Sequence, residues 1–193
     1  SSLNSMNLFE IVHSLKRQFG PEPWTLYKGR HLLSFCDNHD SPARRRYCRT
    51  RRTCPHLRPG VFHAGHSLHL LRSEWGAEGD KRNGDWSLRP AFEAPEWNEL
   101  TDTIAAMAKA RRESRALCYG DFKDLLITNK QTVFQRAVEG ERVIVAINAE
   151  DRPFTAHFNA GCGRAVDLIT GKMHDFGGGS ELPPYSVAFW KCE

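Results

Sequence analysis

Leu32-Leu33-Ser34-Phe35-Cys36-Asp37-Asn38-His39-Asp40 decides how the rest of this chain is read. An apolar run passes directly into two carboxylates, an amide and an imidazole. In parallel α/β barrels the side chains at the C-terminal ends of strands point into the open mouth, where active sites are built. A carboxylate beside an imidazole can hydrogen-bond hydroxyl groups and stabilise positive charge as a bond breaks. The same residues also read as a strand capped by an Asx turn. The surroundings separate the two.

Upstream, residues 7–19 read as a helix, with Leu8, Ile11, Val12, Leu15 and Phe19 recurring on one face. Gly20-Pro21 ends it, because Gly suits the C′ position and Pro cannot continue a helix. Residues 26–35 contain the strand that runs into the polar cluster. Residues 95–114 form a second amphipathic helix, with Trp97, Leu100, Ile104, Met107 and Ala108 as its core stripe. Beyond residue 115 the period changes. Leu125-Leu126-Ile127, Thr132-Val133-Phe134, 142–148, 154–158, 165–169 and 186–190 are short, β-branched or aromatic runs bounded by Gly, Asn or Asp. Strands without intervening helices predict an antiparallel sandwich of roughly eighty residues. Gly177-Gly178-Gly179 is a loop; no strand-to-helix transition surrounds it, so it is not a phosphate cradle.

The composition, 40% hydrophobic and 10% aromatic, is that of a globular protein. No apolar run approaches the roughly 20 residues of a membrane span; no basic-then-apolar leader is present either, which carries no information in a chain read as lacking its N-terminus. The chain opens on Ser1 rather than Met, which fits a fragment or a processed terminus equally. Cys36, Cys48, Cys54, Cys118, Cys162 and Cys192 match no disulfide framework. Isolated thiols are therefore expected, and with them a reducing, cytoplasmic setting.

Three ordered blocks carry a resemblance. Phe35-Cys36-Asp37-Asn38-His39-Asp40 resembles the Asn-His-Asp block that ends the seventh barrel strand of the α-amylase family, glycoside hydrolase family 13. Ser73-Glu74-Trp75-Gly76-Ala77-Glu78-Gly79-Asp80, followed by Arg89-Pro90, is similar to the loop after the eighth strand. Leu117-Cys118-Tyr119-Gly120, Phe134-Gln135-Arg136, 143–148 and Leu182-Pro183-Pro184-Tyr185-Ser186 are similar to the β-sandwich domain C that follows such barrels. The fold class implied is the C-terminal fragment of a (β/α)8 TIM barrel, residues 1–114, followed by an antiparallel β-sandwich, residues 115–193. A whole barrel needs about 250 residues.

The resemblance also implies a chemistry, retaining attack at α-glucosidic bonds of starch-like oligosaccharides. Asp40 matches the family's third acid, which stays ionised and stabilises the transition state. His39 would bind substrate by donating to a hydroxyl in the same subsite. Asn38 and Asp37 brace the loop, and Trp75 either stacks on a sugar face or packs. The nucleophile and general acid belong to the fourth and fifth strands, which this sequence does not contain. Glu78 and Asp80 sit in a Gly-flanked loop and Glu139-Gly140-Glu141 in a hairpin turn, so no other carboxylate pair replaces them. The chain alone is expected to be inert. The implied partner is an α-glucan or maltooligosaccharide, with no nucleic acid and no membrane. No cofactor or metal site is readable, although calcium occurs in the family. Hydrolysis and transfer stay open, and so does the oligomeric state. A non-catalytic carbohydrate-binding module is the alternative reading.

Residues 43–72 read unlike everything around them. They hold Arg44, Arg45, Arg46, Arg49, Arg51, Arg52, Arg58 and Arg72, with no Lys and no acid. Subtracting those eight charges from the net +4 leaves the rest of the chain at −4. One reading is an Arg-rich nucleic-acid contact, but interleaved aromatics and any recognisable module are lacking. Another is a zinc site from Cys48, Cys54, His56, His63, His66 and His69, whose spacings lack the usual finger layout. The third is a shifted reading frame. Residues 65–72 can be written GGG CAT TCC CTC CAT CTA CTA CGG; one nucleotide later this encodes Gly-Ile-Pro-Ser-Ile-Tyr-Tyr-Gly, which resembles the family's eighth strand. As they stand these residues bury too little apolar surface to offset chain ordering, and Pro55 and Pro59 interrupt regular structure. The segment is expected to be irregular. Resequencing the DNA behind residues 41–73 is expected to show compensating shifts near residues 41–43 and near Arg72. An uninterrupted frame through both points excludes this reading.

Overall fold

The computed structural model describes residues 7–27, 30, 33–35, 66–68, 75, 81–88, 91, 93–94 and 97–193. Helix α1 (Leu8–Phe19) is followed by two short strands, β1 (Leu33–Phe35) and β2 (His66–Leu68). Two 3-10 turns, Lys81–Asn83 and Asp85–Leu88, precede α2 (Glu99–Glu113) and α3 (Arg115–Tyr119). The strands that follow are β3 (Asp121–Ile127), β4 (Gln131–Val138), β5 (Glu141–Asn148), β6 (Phe154–Ala156), β7 (Arg164–Asp167), β8 (Met173–Asp175), β9 (Ser180–Leu182) and β10 (Ser186–Cys192). The described residues are thus mostly antiparallel sheet with few helices. None of these helices is long and apolar enough to cross a membrane.

One six-stranded sheet, ordered β3-β4-β5-β10-β7-β8, forms the centre, and β6 pairs with β9 in a second, two-stranded sheet. Side chains alternate faces along a strand, and β5 is apolar on both. Val143, Val145 and Ile147 face a cluster holding Val12 of α1, Ile104, Met107 and Ala110 of α2, and Ala116 and Leu117 of α3. Ile144 and Ala146 face the other way, toward Ala156 of β6, Leu182 of β9 and Trp190 of β10. Helices cover one face and the small sheet covers the other. Each fully buried Val or Ile contributes about 1.5–3 kcal/mol relative to exposure.

A bulge between Asp124 and Leu126 shifts the β3–β4 register. It lets Phe122 and Ile127 reach the helical face while Leu125 and Leu126 turn to the opposite one. Asp124 then meets Lys16 of α1 at 2.9 Å. Helix α2 is closed at its start by a capping box: Asn98 Oδ1 accepts from the Leu100 and Thr101 amides, and Thr101 Oγ1 accepts from the Asn98 amide. Helix α3 is capped from a distance. Glu141, at the start of β5, accepts from the Ser114 hydroxyl at 2.7 Å and from the Arg115 and Ala116 amides at 3.0 and 3.3 Å. A carboxylate there also meets the positive end of the helix dipole.

The open end of β5 is held by a buried polar knot. Asn148 is fully buried and donates to the carbonyls of Arg152 (2.9 Å), Leu182 (3.2 Å) and Pro183 (3.0 Å). Its Oδ1 accepts from Gln131 Nε2 and from the Glu150 amide, both at 3.0 Å. Glu150 in turn accepts from Lys130, Gln131 and Arg152 at 2.8, 3.1 and 2.7 Å. Those donors, Lys130 foremost, hold its carboxyl down at about 2.

Several expectations change here. Trp97 lies outside α2 and is exposed, its indole N–H donating to Asp102 Oδ1 at 2.9 Å. Ala108 is exposed too, and Thr101, Ala110 and Arg111 are buried instead. Gly20 ends α1 in an extended conformation, not a left-handed one. It is needed for a close approach, since a Cβ there would lie 2.5 Å from the Lys16 carbonyl oxygen. Strands β8 and β9 did not stand out in the sequence, being three residues each with a charged residue in both. Cys162 and Cys192 form a disulfide, with Cα atoms 6.2 Å apart, where isolated thiols were expected; the antiparallel pairing of β10 with β7, which sets Cys192 opposite Ala165, brings these distant positions together. Cys118 is a free thiol. Finally, β2 is a regular strand inside the 43–72 segment expected to be irregular. Pairing with β1 supplies the backbone bonds that the local sequence does not encourage. The rest of that segment lies outside the described residues.

Two outcomes follow for stability. A link across 30 positions removes chain entropy worth roughly 3–4 kcal/mol in the unfolded state. Urea unfolding with and without a reductant is expected to differ by that order, and an unchanged midpoint would count against it. Glu150 is ionised and bonded in the fold, so its contribution is complete above the unfolded carboxyl range, about 4.3. It is lost as pH falls through about 2. Glu150→Gln is expected to lower the urea midpoint at pH 7 and to flatten its decline between pH 5 and pH 2.

Candidate functional site

The strand that leads into the polar block is paired in parallel. Leu33, Ser34 and Phe35 of β1 lie opposite His66, Ser67 and Leu68 of β2. In a parallel pair both chains leave at the same edge, so the segments after Phe35 and after Leu68 depart from one end of the pair. Asp40 follows Phe35 by five residues, a reach of at most about 18 Å. Asp37, Asn38, His39 and Asp40 themselves lie outside the described residues, as do Glu74, Glu78 and Asp80. Trp75 is half-buried, and its carbonyl accepts from Asn98 Nδ2 at 3.4 Å. Trp75 is thereby tied to the cap of α2. Among the described residues no group of three or more His, Cys, Asp or Glu side chains is placed to hold a metal ion.

A second feature was not visible in the sequence. A cleft of about 270 Å³ opens between the end of β6 and the turn that joins β8 to β9. Ala156, His157, Phe158, Phe176, Gly178, Gly179 and Ser180 line it. Phe158 and Phe176 meet edge to face with centroids 5.8 Å apart, and Phe158 stacks on Trp190 at 6.5 Å. Behind them His174 lies flat on Trp190 at 4.1 Å and bonds Ser180 Oγ through Nε2 at 2.8 Å. Burial holds this imidazole below its ordinary value, with Asp175 and Asp167 opposing. Gly178 and Gly179 have φ of +88° and +99°, a region that side chains disfavour. A Cβ on Gly179 would also stand 2.7 Å from His157 Cε1. The only local signal was the run Gly177-Gly178-Gly179, which reads as a loop without its partners.

The sequence matches no protein-family model and no curated protein. Solved structures do match. An α-amylase from Anoxybacillus superposes with a TM-score of 0.72 at 20% identity, covering 96% of this chain and 45% of that one. The α-amylase of Geobacillus thermoleovorans, solved with acarbose, gives 0.73 at 21% identity, covering 96% and 42%. A protein of Thermus thermophilus gives 0.74 at 23% identity, covering 96% and 40%. The chain spans less than half the length of these structures. At such identities the likeness is one of fold: this chain is built like the C-terminal portion of α-amylase-type structures.

Proposed function

We propose that this chain is the C-terminal part of an α-amylase-type glycoside hydrolase, acting on α-glucosidic bonds of starch-like oligosaccharides by a retaining mechanism. The observation that carries the reading is the parallel pairing of β1 with β2, directly ahead of Asn38-His39-Asp40. Parallel neighbours are what a barrel wall requires, and the exit end of a barrel strand is where catalytic groups sit. Residues 1–114 are accordingly read as the end of a barrel and 115–193 as its following β-domain.

In this reading Asp40 remains ionised while the glycosidic bond breaks. Its negative charge is worth most when the sugar ring carries positive charge, so it lowers the barrier rather than merely binding substrate. His39 donates to a sugar hydroxyl and orients the ring. A retaining reaction needs two further carboxyl groups about 5–5.5 Å apart, one to attack the sugar and one to protonate the leaving oxygen. No block of this sequence matches either, so Asp40 cannot complete a double displacement alone.

Incubation of the purified chain with maltoheptaose is expected to release no reducing ends above the blank. Hydrolysis that disappears in Asp40→Asn would overturn the dependence on further carboxylates, because a complete site would then lie in these 193 residues.

A further inference from the structure

The Cys162–Cys192 bond joins two places that the fold holds in different ways. Cys192 ends β10, where the ladder to β7 pairs Trp190 with Asp167, Lys191 with Val166 and Cys192 with Ala165. That strand is in register without help from its sulfur. Cys162 lies in the connection from β6 to β7, residues 157–163, which belongs to no ladder. There the Gly161 amide donates locally to Asn159 Oδ1 at 2.9 Å, and the Gly163 carbonyl accepts from the Phe176 amide at 3.1 Å. The disulfide is the covalent tie between this connection and the sheet.

The bond is also within reach of solvent. Both cysteines are half-buried, and their neighbours Gly161, Gly163, Lys191 and Glu193 are exposed. A small thiol can approach without prior unfolding. Exposed disulfides are the labile kind, whereas structural ones resist the glutathione pool.

One cation is placed to favour the opened form. The β5–β10 register pairs Val143 with Lys191, so the next step along each strand sets Arg142 level with Cys192. Arg142 Nη1 would stand 2.8 Å from a Cβ on Gly161, the residue before Cys162. A guanidinium beside a sulfur stabilises the thiolate over the thiol and makes it a better leaving group. Of the other charges nearby, Arg164 pairs with Asp175 at 3.5 Å. Lys191 alternates to the opposite face of β10 and meets Glu141 at 3.8 Å.

We propose that Cys162–Cys192 is a redox latch, opened in the folded protein by exchange with a small thiol such as glutathione, with Arg142 stabilising the departing thiolate. A reductant thiolate attacks Cys192 Sγ, the bond to Cys162 breaks, and Cys162 leaves as its thiolate. A second reductant thiolate attacks the mixed disulfide and releases Cys192. The cystine gains two electrons, and the two reductant sulfurs lose them and become one disulfide. The protons of the two reductant thiols pass through water to Cys162 and Cys192. Oxidised glutathione reverses each step. Opening frees the 157–163 connection and with it Phe158, which that connection stacks on Trp190. The latch does not depend on the function proposed above.

The test equilibrates the ¹⁵N-labelled chain in glutathione buffers of graded thiol-to-disulfide ratio, then alkylates it and maps the peptides holding Cys162 and Cys192. The pair is expected to open at millimolar glutathione without urea. Amides of 159–163 and of Phe176 are expected to shift and exchange faster on opening, while β5 amides stay protected. Cys162→Ser is expected to show the same change in oxidising buffer. At pH 8, Arg142→Gln is expected to need an about fivefold more reducing ratio for half-opening, and Arg142→Lys to restore it. Reduction that occurs only when β5 amides also exchange would overturn the latch, and so would opening that leaves 159–163 unchanged. An unchanged ratio in folded Arg142→Gln would overturn the part given to Arg142.

Discussion

A strand with apolar side chains on both faces cannot be the surface of anything, and β5 is such a strand. Val143, Val145 and Ile147 demand cover on one side, Ile144 and Ala146 on the other. The helices and the small β6–β9 sheet answer those two demands, and β4 and β10 satisfy the backbone on either edge. Helices α1, α2 and α3 and the strands from β3 onward are positioned relative to that layer. Helix α1, from the far end of the sequence, is part of the same core through Val12 and through Lys16 on Asp124. Helix α1 and the helical face of the six-stranded sheet therefore share one packed core.

Polar groups settle what hydrophobic packing leaves loose. Burial is non-directional, whereas a hydrogen bond chooses a partner. Asn148 uses its whole amide to join the end of β5 to the loop after it and to the Leu182-Pro183 turn. Glu141 joins a hairpin to the first turn of α3. Arg136 lies nearly buried on the helical side of β4, where desolvation and nearby Arg111 bring its guanidinium down to about 10. The Asn148 and Glu141 ties are costly to leave incomplete, and they make the register of the elements they join specific.

The two candidate sites differ in how the chain builds them. Asn38-His39-Asp40 is contiguous, so its residue types and its position after an apolar run are readable at once. The cleft is assembled from 156–158 and 176–180, brought together only by the pairing of β6 with β9. Neither Phe158 nor Phe176 is unusual where it stands in the chain. Their meaning comes from Trp190, which lies on a third strand and supports both.

Sequence alone determined the local order: a helix near the start, a second before residue 115, then a succession of short strands, and an Arg-rich stretch foreign to both. It did so because periodicity is a property of neighbouring residues. It placed Trp97 and Ala108 in a core stripe, because period cannot tell where a helix begins or which side is covered. It treated Cys162 and Cys192 as separate, because a separation of 30 positions carries no signal of proximity. Tertiary structure decided those matters, along with β8, β9, the cleft and the strand His66–Leu68. Apart from β8, which pairs with the adjacent β7, these strands and contacts depend on a partner far along the chain, and pairing energy, unlike propensity, is not written in the segment that receives it.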